Sequence, residues 1–301
     1  MSLRHRVEYL AYRATRAKWS VLPEAGAASA GAMTGTLAGS VLRIRRSAVD
    51  ENLRLAFPEQ SESWWARVAQ DSYRHLGREV AAVFRMSRWG PDEIMRRVRF
   101  ENFDAVDEAM ARGQGAVLMT AHLGNWEIAG AALAARGFPI DVVGKGMSNR
   151  AVEADLFRIR ERLGMSVIPM AEAPRRTLGA LGEGRMVALL GDQNAHRGGV
   201  FVDFFGRPAA TPRGPALFAI RKEVPIFCGF ALRDPSGDPR YTLRAHTVHV
   251  ERSGDLDADV IRVLTAYHDL LEQAIRGAPE QYFWQHRRWK TRPPEEQGAS
   301  G

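Results

Sequence analysis

The sequence predicts an α/β fold: a mostly parallel central sheet flanked by helices and preceded by a helical N-terminal region. Three observations carry the prediction. Up to about residue 97 the apolar residues keep helical spacing. Beyond it, short apolar runs rich in β-branched residues alternate with helical segments, as in strands joined by crossover helices. The alternation continues to a last helix near the C-terminus, so one sheet covered on both faces accounts for it.

In chain order, residues 1–20 and 26–45 read as two helices broken near Pro23. The stretch SAVDENLRLAF offers a short helix ended by Pro58, and residues 60–86 a longer one. Its Trp64, Trp65, Val68, Tyr73, Leu76, Val80, Ala82 and Val83 form an irregular stripe. The strand runs are GAVLMTA, PIDVVG, MSVIPM and RMVALLG, followed by helices 125–136, 149–163 and 174–183 and, after the fourth run, a polar Gly-rich loop. GGVFVDFFG, helix 213–221, VPIFCGFAL and YTLRAHTVHV come next, the last two pairing as an antiparallel hairpin across DPSGDPR. Helix 257–276 closes the fold. The expected organisation is a helical, membrane-associating region (1–97), an α/β domain (98–293) and a flexible tail (294–301).

The 301 residues carry a net charge of +7. Basic residues cluster at Arg4, Arg6, Arg13, Arg16 and Lys18, at Arg43, Arg45 and Arg46, and at Arg287, Arg288, Lys290 and Arg292. Such clusters suit an anionic membrane, nucleic acid or an acidic protein. The single cysteine, Cys228, excludes an internal disulfide framework, and its setting in VPIFCGF reads as a buried structural thiol. The arginine-interrupted opening forms no apolar core of a signal peptide. Residues 25–42 are uncharged but mostly Ala, Gly, Ser and Thr, too weakly apolar to predict a span. Flanked by arginines, they suit a bilayer surface or a partner helix, so peripheral attachment is expected.

The chemistry concentrates in AVLMTAHLGNWEIAGAAL, residues 116–133. On one regular helix His122 and Glu127 would point ~140° apart, since each residue advances ~100°. The sequence avoids this: His122 follows the strand directly, and Gly124 and Asn125 make a turn and N-cap. Glu127 then falls in the first helical turn, from which its carboxylate can reach back to an imidazole nitrogen and stabilise imidazolium. Exposed N–H groups at the helix start, next to Asn125, suit developing negative charge on a substrate oxygen. The loop lies at a strand's carboxyl end, where ligands of α/β sheets bind. Spacing alone equally fits a structural histidine beside a dipole-favoured Glu127. No other His or Cys falls at a matching metal-ligand spacing, and no nucleophile elbow, Walker A loop or dinucleotide fingerprint is present.

HLGNWE resembles the His-x4-Asp/Glu motif of glycerolipid acyltransferases, in the form used by the late lipid A acyltransferase family (lauroyl- and myristoyl-transferases of the Gram-negative envelope). NLRLAFPE, GDQNAHRGGVFVDFFGRPAATPRGPALFAIR and PEQYFWQHRRWKTRP follow in family order, so the resemblance covers about residues 5–293. It implies transfer of an acyl chain from an acyl carrier protein thioester, or acyl-CoA, to a hydroxyl of a lipid A precursor. It implies no metal and no bound cofactor, at the cytoplasmic face of the inner membrane.

By resemblance, His122 is the base and Glu127 its orienting acid. Lys145 stands where relatives carry a basic residue, and Asp192 and Gln193 match the family's Asp-Gln step, facing the same crevice as His122. Gly206, Arg207, Thr211 and Arg213 resemble the segment shaping an acceptor and phosphate pocket. Trp284, Arg287, Arg288, Trp289 and Lys290 suit a membrane interface, or an aromatic lock on the core. His196 is expected to face solvent. Expected partners are acyl carrier protein, a glycolipid acceptor and the anionic membrane surface. Two rivals remain: acylation of another glycolipid, such as a mannosylated phosphatidylinositol, and a non-catalytic basic binding protein. Nucleic acid is disfavoured, because the arginines lie at the two chain ends without a recognition motif.

Overall fold

The computed structural model describes residues 2–144, 146–196, 198–234, 236 and 241–293. Five helices come first: α1 (Leu3–Val21), α2 (Glu24–Thr36), α3 (Arg46–Ala56), α4 (Glu62–Met86) and α5 (Pro91–Arg97). The expected helix over 26–45 is α-helical only to Thr36 and continues as a π-helical turn at Leu37–Val41. The reason α2 is built from small residues is its close crossing over α4. A Cβ on Gly35 would sit 1.9 Å from the Tyr73 carbonyl oxygen, and one on Gly77 2.0 Å from that of Gly31. The Ala/Gly-rich segment thus finds its partner helix within the chain.

The sheet is built from β1 (Val98–Glu101), β2 (Ala116–Thr120), β3 (Ile140–Gly144), β4 (Ser166–Pro169), β5 (Met186–Leu190), β8 (Ile226–Arg233) and β9 (Tyr241–Val248). Between them run α6 (Asp104–Ala111), α7 (Trp126–Ala135), α8 (Arg150–Arg162), α9 (Ala173–Gly182) and α10 (Gly214–Lys222), and α11 (Leu256–Gly277) follows β9. The strand order is β1-β9-β8-β2-β5-β3-β4. β8, β2, β5, β3 and β4 are parallel to one another. β9 returns antiparallel to β8 as the hairpin expected, and β1 runs parallel to β9. The strand GGVFVDFFG becomes β6 (Gly199–Phe204), which turns at Phe205–Gly206 and pairs with β7 (Arg207–Pro212) as a separate two-stranded ribbon. Neither β1 nor β7 is apparent from apolar runs: β1 is only four residues long and β7 opens on Arg-Pro.

β2 is buried along its whole length, as a central strand covered on both faces must be. Its core continues without a break into the N-terminal helices: Val49, Leu53 and Phe57 at α3, and Val68 and Tyr73 on α4, share one apolar cluster with Val117, Met119 and Cys228. Cys228 is fully buried there, and burial pushes its thiol well above the usual range, as expected of a structural residue. Among the described residues no helix is long and apolar enough to cross a membrane.

Candidate active site

β2 and β5 lie side by side, and their carboxyl ends deliver two loops to one place. The first carries His122. Gly124, at φ +64°, lets the chain pass under β8: a Cβ there would meet the Ala231 carbonyl oxygen at 2.0 Å. Asn125 then caps α7, its Oδ1 accepting from the Ile128 N–H at 2.9 Å, as the sequence leads one to expect. The second loop carries Asp192. Its carboxylate accepts twice from the same residue, from the His122 backbone N–H at 3.0 Å and across 2.9 Å from the ring Nδ1.

Asp192 is almost fully buried (2% exposed). Burial alone would raise its pKa, but the charge and hydrogen bonds of His122 hold it below the usual carboxylate range, so it stays ionised. An ionised acceptor on Nδ1 fixes the Nδ1–H tautomer and leaves the Nε2 lone pair outward. Gln193 stands next to that nitrogen, its Nε2 3.3 Å away. Trp126 meets the ring edge-on (centroids 4.9 Å apart), and Phe283 lies tilted against it at 5.9 Å.

Glu127 is a correction to the sequence expectation. Both of its oxygens are taken by Arg160 of α8, at 2.9 Å from Nε and again from a terminal nitrogen, and it forms no bond to His122. The physical reason is direction: on the first turn of α7 the carboxylate faces α8, while Asp192 approaches the ring from the neighbouring strand. Asp192, expected as a crevice residue, is therefore the histidine's partner.

The other expected residues divide. Asn125 is buried with both ends of its amide used, since Nδ2 donates to Glu79 at 2.7 Å, so it supports the loop rather than facing substrate. Thr211 is fully buried, donating to the Ala209 carbonyl and accepting from Arg288. Arg213 pairs with Asp257 at the start of α11. Gly206 and Arg207 form the ribbon's tip, which, among the described residues, no hydrogen bond or ring contact joins to His122. Gly206, Arg207, Thr211 and Arg213 therefore do not converge on the base. Lys145 lies outside the described residues.

The C-terminal strap also departs from expectation. Trp284 is 1% exposed and packs on Phe57, Phe205 and Tyr282. Arg288 is 2% exposed and donates to the Ala210 carbonyl at 2.8 Å and the Thr211 hydroxyl at 2.7 Å. Trp289 is half-buried, stacked on Phe204 at 5.6 Å, while Arg287 and Lys290 are exposed. A membrane-facing role fails for Trp284 and Arg288 because every polar group they carry inward finds a buried acceptor, except Arg288 Nε. The strap instead ties the site together. Phe283 N–H donates to the His122 carbonyl at 2.9 Å, His286 Nε2 accepts from Asn194 N–H at 2.9 Å, and Asn194 Oδ1 accepts from Thr291 N–H at 3.0 Å.

Sequence reasoning missed a second buried cluster under the histidine loop. Glu79 of α4 accepts from Arg233 (2.6 Å), Tyr241 (2.7 Å) and Asn125 (2.7 Å), with His75 Nδ1 at 3.7 Å. Burial opposes its charge, but His75 and Arg233 outweigh that and keep it ionised. An acid inside the apolar stripe of α4 was the available signal. Arg160 gave none, sitting among the charges of FRIRER. Among the described residues no three His, Cys, Asp or Glu side chains converge as metal ligands.

A buried carboxylate, an oriented imidazole whose Nε2 lone pair meets the Gln193 amide, and an adjoining helix start can deprotonate a hydroxyl that displaces that amide and steady the charge that follows. The comparisons with known proteins agree with such chemistry. The chain is 32% identical over 168 residues to a phosphatidylinositol mannoside acyltransferase of Mycobacterium tuberculosis, covering 53% of each. It therefore spans about half the length of those mycobacterial relatives. It is 26% identical over 279 residues to the lipid A biosynthesis palmitoleoyltransferase of Escherichia coli K12, covering 91% of this chain and 88% of that one. To the lauroyltransferase of the same organism it is 26% identical over 265 residues, 86% and 83% of the two chains. The model of the bacterial lipid A biosynthesis acyltransferase family matches residues 1–291, nearly the whole sequence, and this protein belongs to that family.

Proposed function

We propose that this protein moves a fatty acyl chain from a thioester to a hydroxyl of a glycolipid, a lipid A precursor first among them. The observation that carries the reading is the His122–Asp192 pair, closed at 2.9 Å where two parallel strands end side by side. Asp192 holds the Nδ1–H tautomer; Nε2 takes the proton of the acceptor hydroxyl as Gln193 gives way. The hydroxyl oxygen attacks the thioester carbonyl, and the tetrahedral oxyanion collapses to expel the thiolate, which recovers the proton from imidazolium. The Asp192 charge stabilises that imidazolium while it exists.

The donor we favour is acyl carrier protein, an acidic partner for a chain of net charge +7 with Arg287 and Lys290 exposed at the strap. Peripheral attachment to the cytoplasmic face of an anionic membrane is supported by the N-terminal surface. Leu3, Val7 and Leu10 stand exposed along α1, and Met33, Leu37, Val41, Leu42 and Ile44 follow from α2 to the start of α3. Beside them a 690 Å³ groove is lined by Arg43, Arg46 and Arg54 with Asp50 and Glu51. Apolar side chains rimmed by arginines suit an anionic interface.

A second reading is acylation of a mannosylated phosphatidylinositol, favoured by the 32% identity over 168 residues to a phosphatidylinositol mannoside acyltransferase. Labelled acyl transfer, run with acyl carrier protein and acyl-CoA as donors and with a tetra-acylated lipid A precursor and a phosphatidylinositol mannoside as acceptors, decides between them. Transfer to the lipid A precursor supports the first reading and transfer only to the mannoside the second. No transfer to either by folded protein would overturn both.

A further inference from the structure

Beside His122, under its loop, is a recess of about 10 Å³, room for a single oxygen-sized atom. The rings of Trp126 and Phe283, which hold the imidazole, form part of its wall, and so do His122, His75 and Gln285. Gln285 is the unexplained member. Its side chain is buried (7% exposed), yet among the described residues neither Nε2 nor Oε1 has a hydrogen-bond partner. A buried amide left wholly unpaired is costly at both atoms, so in the working protein something must answer it.

The amide is also held in place. Asn52 of α3 donates through Nδ2 to the carbonyls of Trp284, at 2.8 Å, and His286, at 2.6 Å, the residues on either side of Gln285. The backbone on either side of Gln285 is thus anchored by one amide, which fixes where its side chain leaves the chain. Two unused functions, one donor and one acceptor, select the complement. A thioester carbonyl or an oxyanion only accepts, and would leave Oε1 unpaired. A hydroxyl both donates and accepts, and its oxygen fits the recess.

We propose that Gln285 is an acceptor-recognition residue, its amide hydrogen-bonding a hydroxyl of the sugar-bearing acceptor while His122 serves the reaction. This rests on the glycolipid reading above and names the group that selects the acceptor. Gln285→Met keeps the length of the side chain and removes both functions; Gln285→Glu keeps the acceptor atom and removes the donor.

The test measures two fates of one labelled thioester, transfer to the acceptor and hydrolysis by water. In Gln285→Met the transfer-to-hydrolysis ratio falls about 10- to 100-fold, the loss of one or two neutral hydrogen bonds to substrate, and the loss appears in the acceptor KM. An oxyanion role would lower both fates together and leave the ratio intact; a recess that merely stores a water would leave the ratio intact and lower only the melting temperature. Either result overturns the proposal. Calorimetric titration of the lipid A precursor and of the phosphatidylinositol mannoside, without donor, separates this inference from the function reading. Weaker binding by Gln285→Met supports it even if wild type turns over neither acceptor, and equal affinity, or no binding by wild type, rejects it.

Discussion

The two ends of this chain have similar composition and opposite fates. Both mix arginines with large apolar residues: LRHRVEYL and SVLRIRR near the start, YFWQHRRWK near the finish. At the start the apolar side chains are left outside, Leu3 at 79%, Leu10 at 66% and Val41 at 68% exposure. At the finish Trp284 and Arg288 are sealed in. The difference lies in partners. The strap meets β7, α11 and the histidine loop, which supply carbonyls, a hydroxyl and aromatic faces, whereas α1 and α2 bury one side against α4 and leave the other free. Composition marks both segments as amphipathic; only tertiary supply of buried acceptors decides which faces inward.

The largest effect that could break this comparison is in the strap. Trp284→Ala removes a fully buried ring and should cost about 3–5 kcal/mol in urea unfolding; a loss under about 1 kcal/mol would mean that the strap is not part of the core.

Two histidines, His286 of the strap and His268 of α11 beside Arg288, should next make stability depend on pH. Burial first, and then Arg288, push His268 down to about 3, and burial chiefly pushes His286 down to about 4. Both are neutral when folded at pH 5 but take protons when unfolded, whose histidines titrate near 6.5. The unfolded state then binds more protons, so stability falls as pH drops from about 6.5 toward 4, by at most about 1.4 kcal/mol per unit for His268 and by less for the half-exposed, solvent-screened His286. A flat stability curve across that window would contradict the buried, neutral assignment.

At the other end, Leu37→Asp with Val41→Asp should weaken sedimentation with anionic vesicles by about tenfold or more, from the apolar area lost to the bilayer. Folding stability should move by less than about 0.5 kcal/mol, because both side chains are exposed. Unchanged vesicle binding would leave that surface unexplained. The smallest effect belongs to the strap's exposed cations. Arg287→Ala with Lys290→Ala should leave stability within about 0.5 kcal/mol of wild type, and a larger loss would extend the buried strap to these two.

The sequence made the sheet legible because its central strands are continuous apolar runs and the helices between them are regular. It made His122, Gly124 and the Asn125 cap legible because a strand end, a turn and an N-cap are local events. It could not reveal that Asp192 rather than Glu127 would reach the imidazole. Seventy residues separate His122 from Asp192, and their meeting depends on β2 and β5 being neighbours, which strand order and not spacing determines. The same holds for Asn52 and the Trp284 and His286 carbonyls that flank Gln285, brought together over 232 and 234 positions of the sequence. Arg288 read as interfacial because nothing local announces the Ala210 carbonyl and Thr211 hydroxyl that receive it.

The most direct test of the account is acyl-transfer turnover of Asp192→Asn beside Glu127→Gln, with thermal melting to verify folding. Asparagine keeps an acceptor for the His122 N–H but loses the charge that fixes and supports the imidazole. The account predicts that Asp192→Asn stays folded and loses about 10³- to 10⁴-fold in kcat. It expects the Glu127→Gln defect to come with a lowered melting temperature, from an unpaired Arg160. Near-wild-type turnover by Asp192→Asn, with a folded but inactive Glu127→Gln, would contradict it.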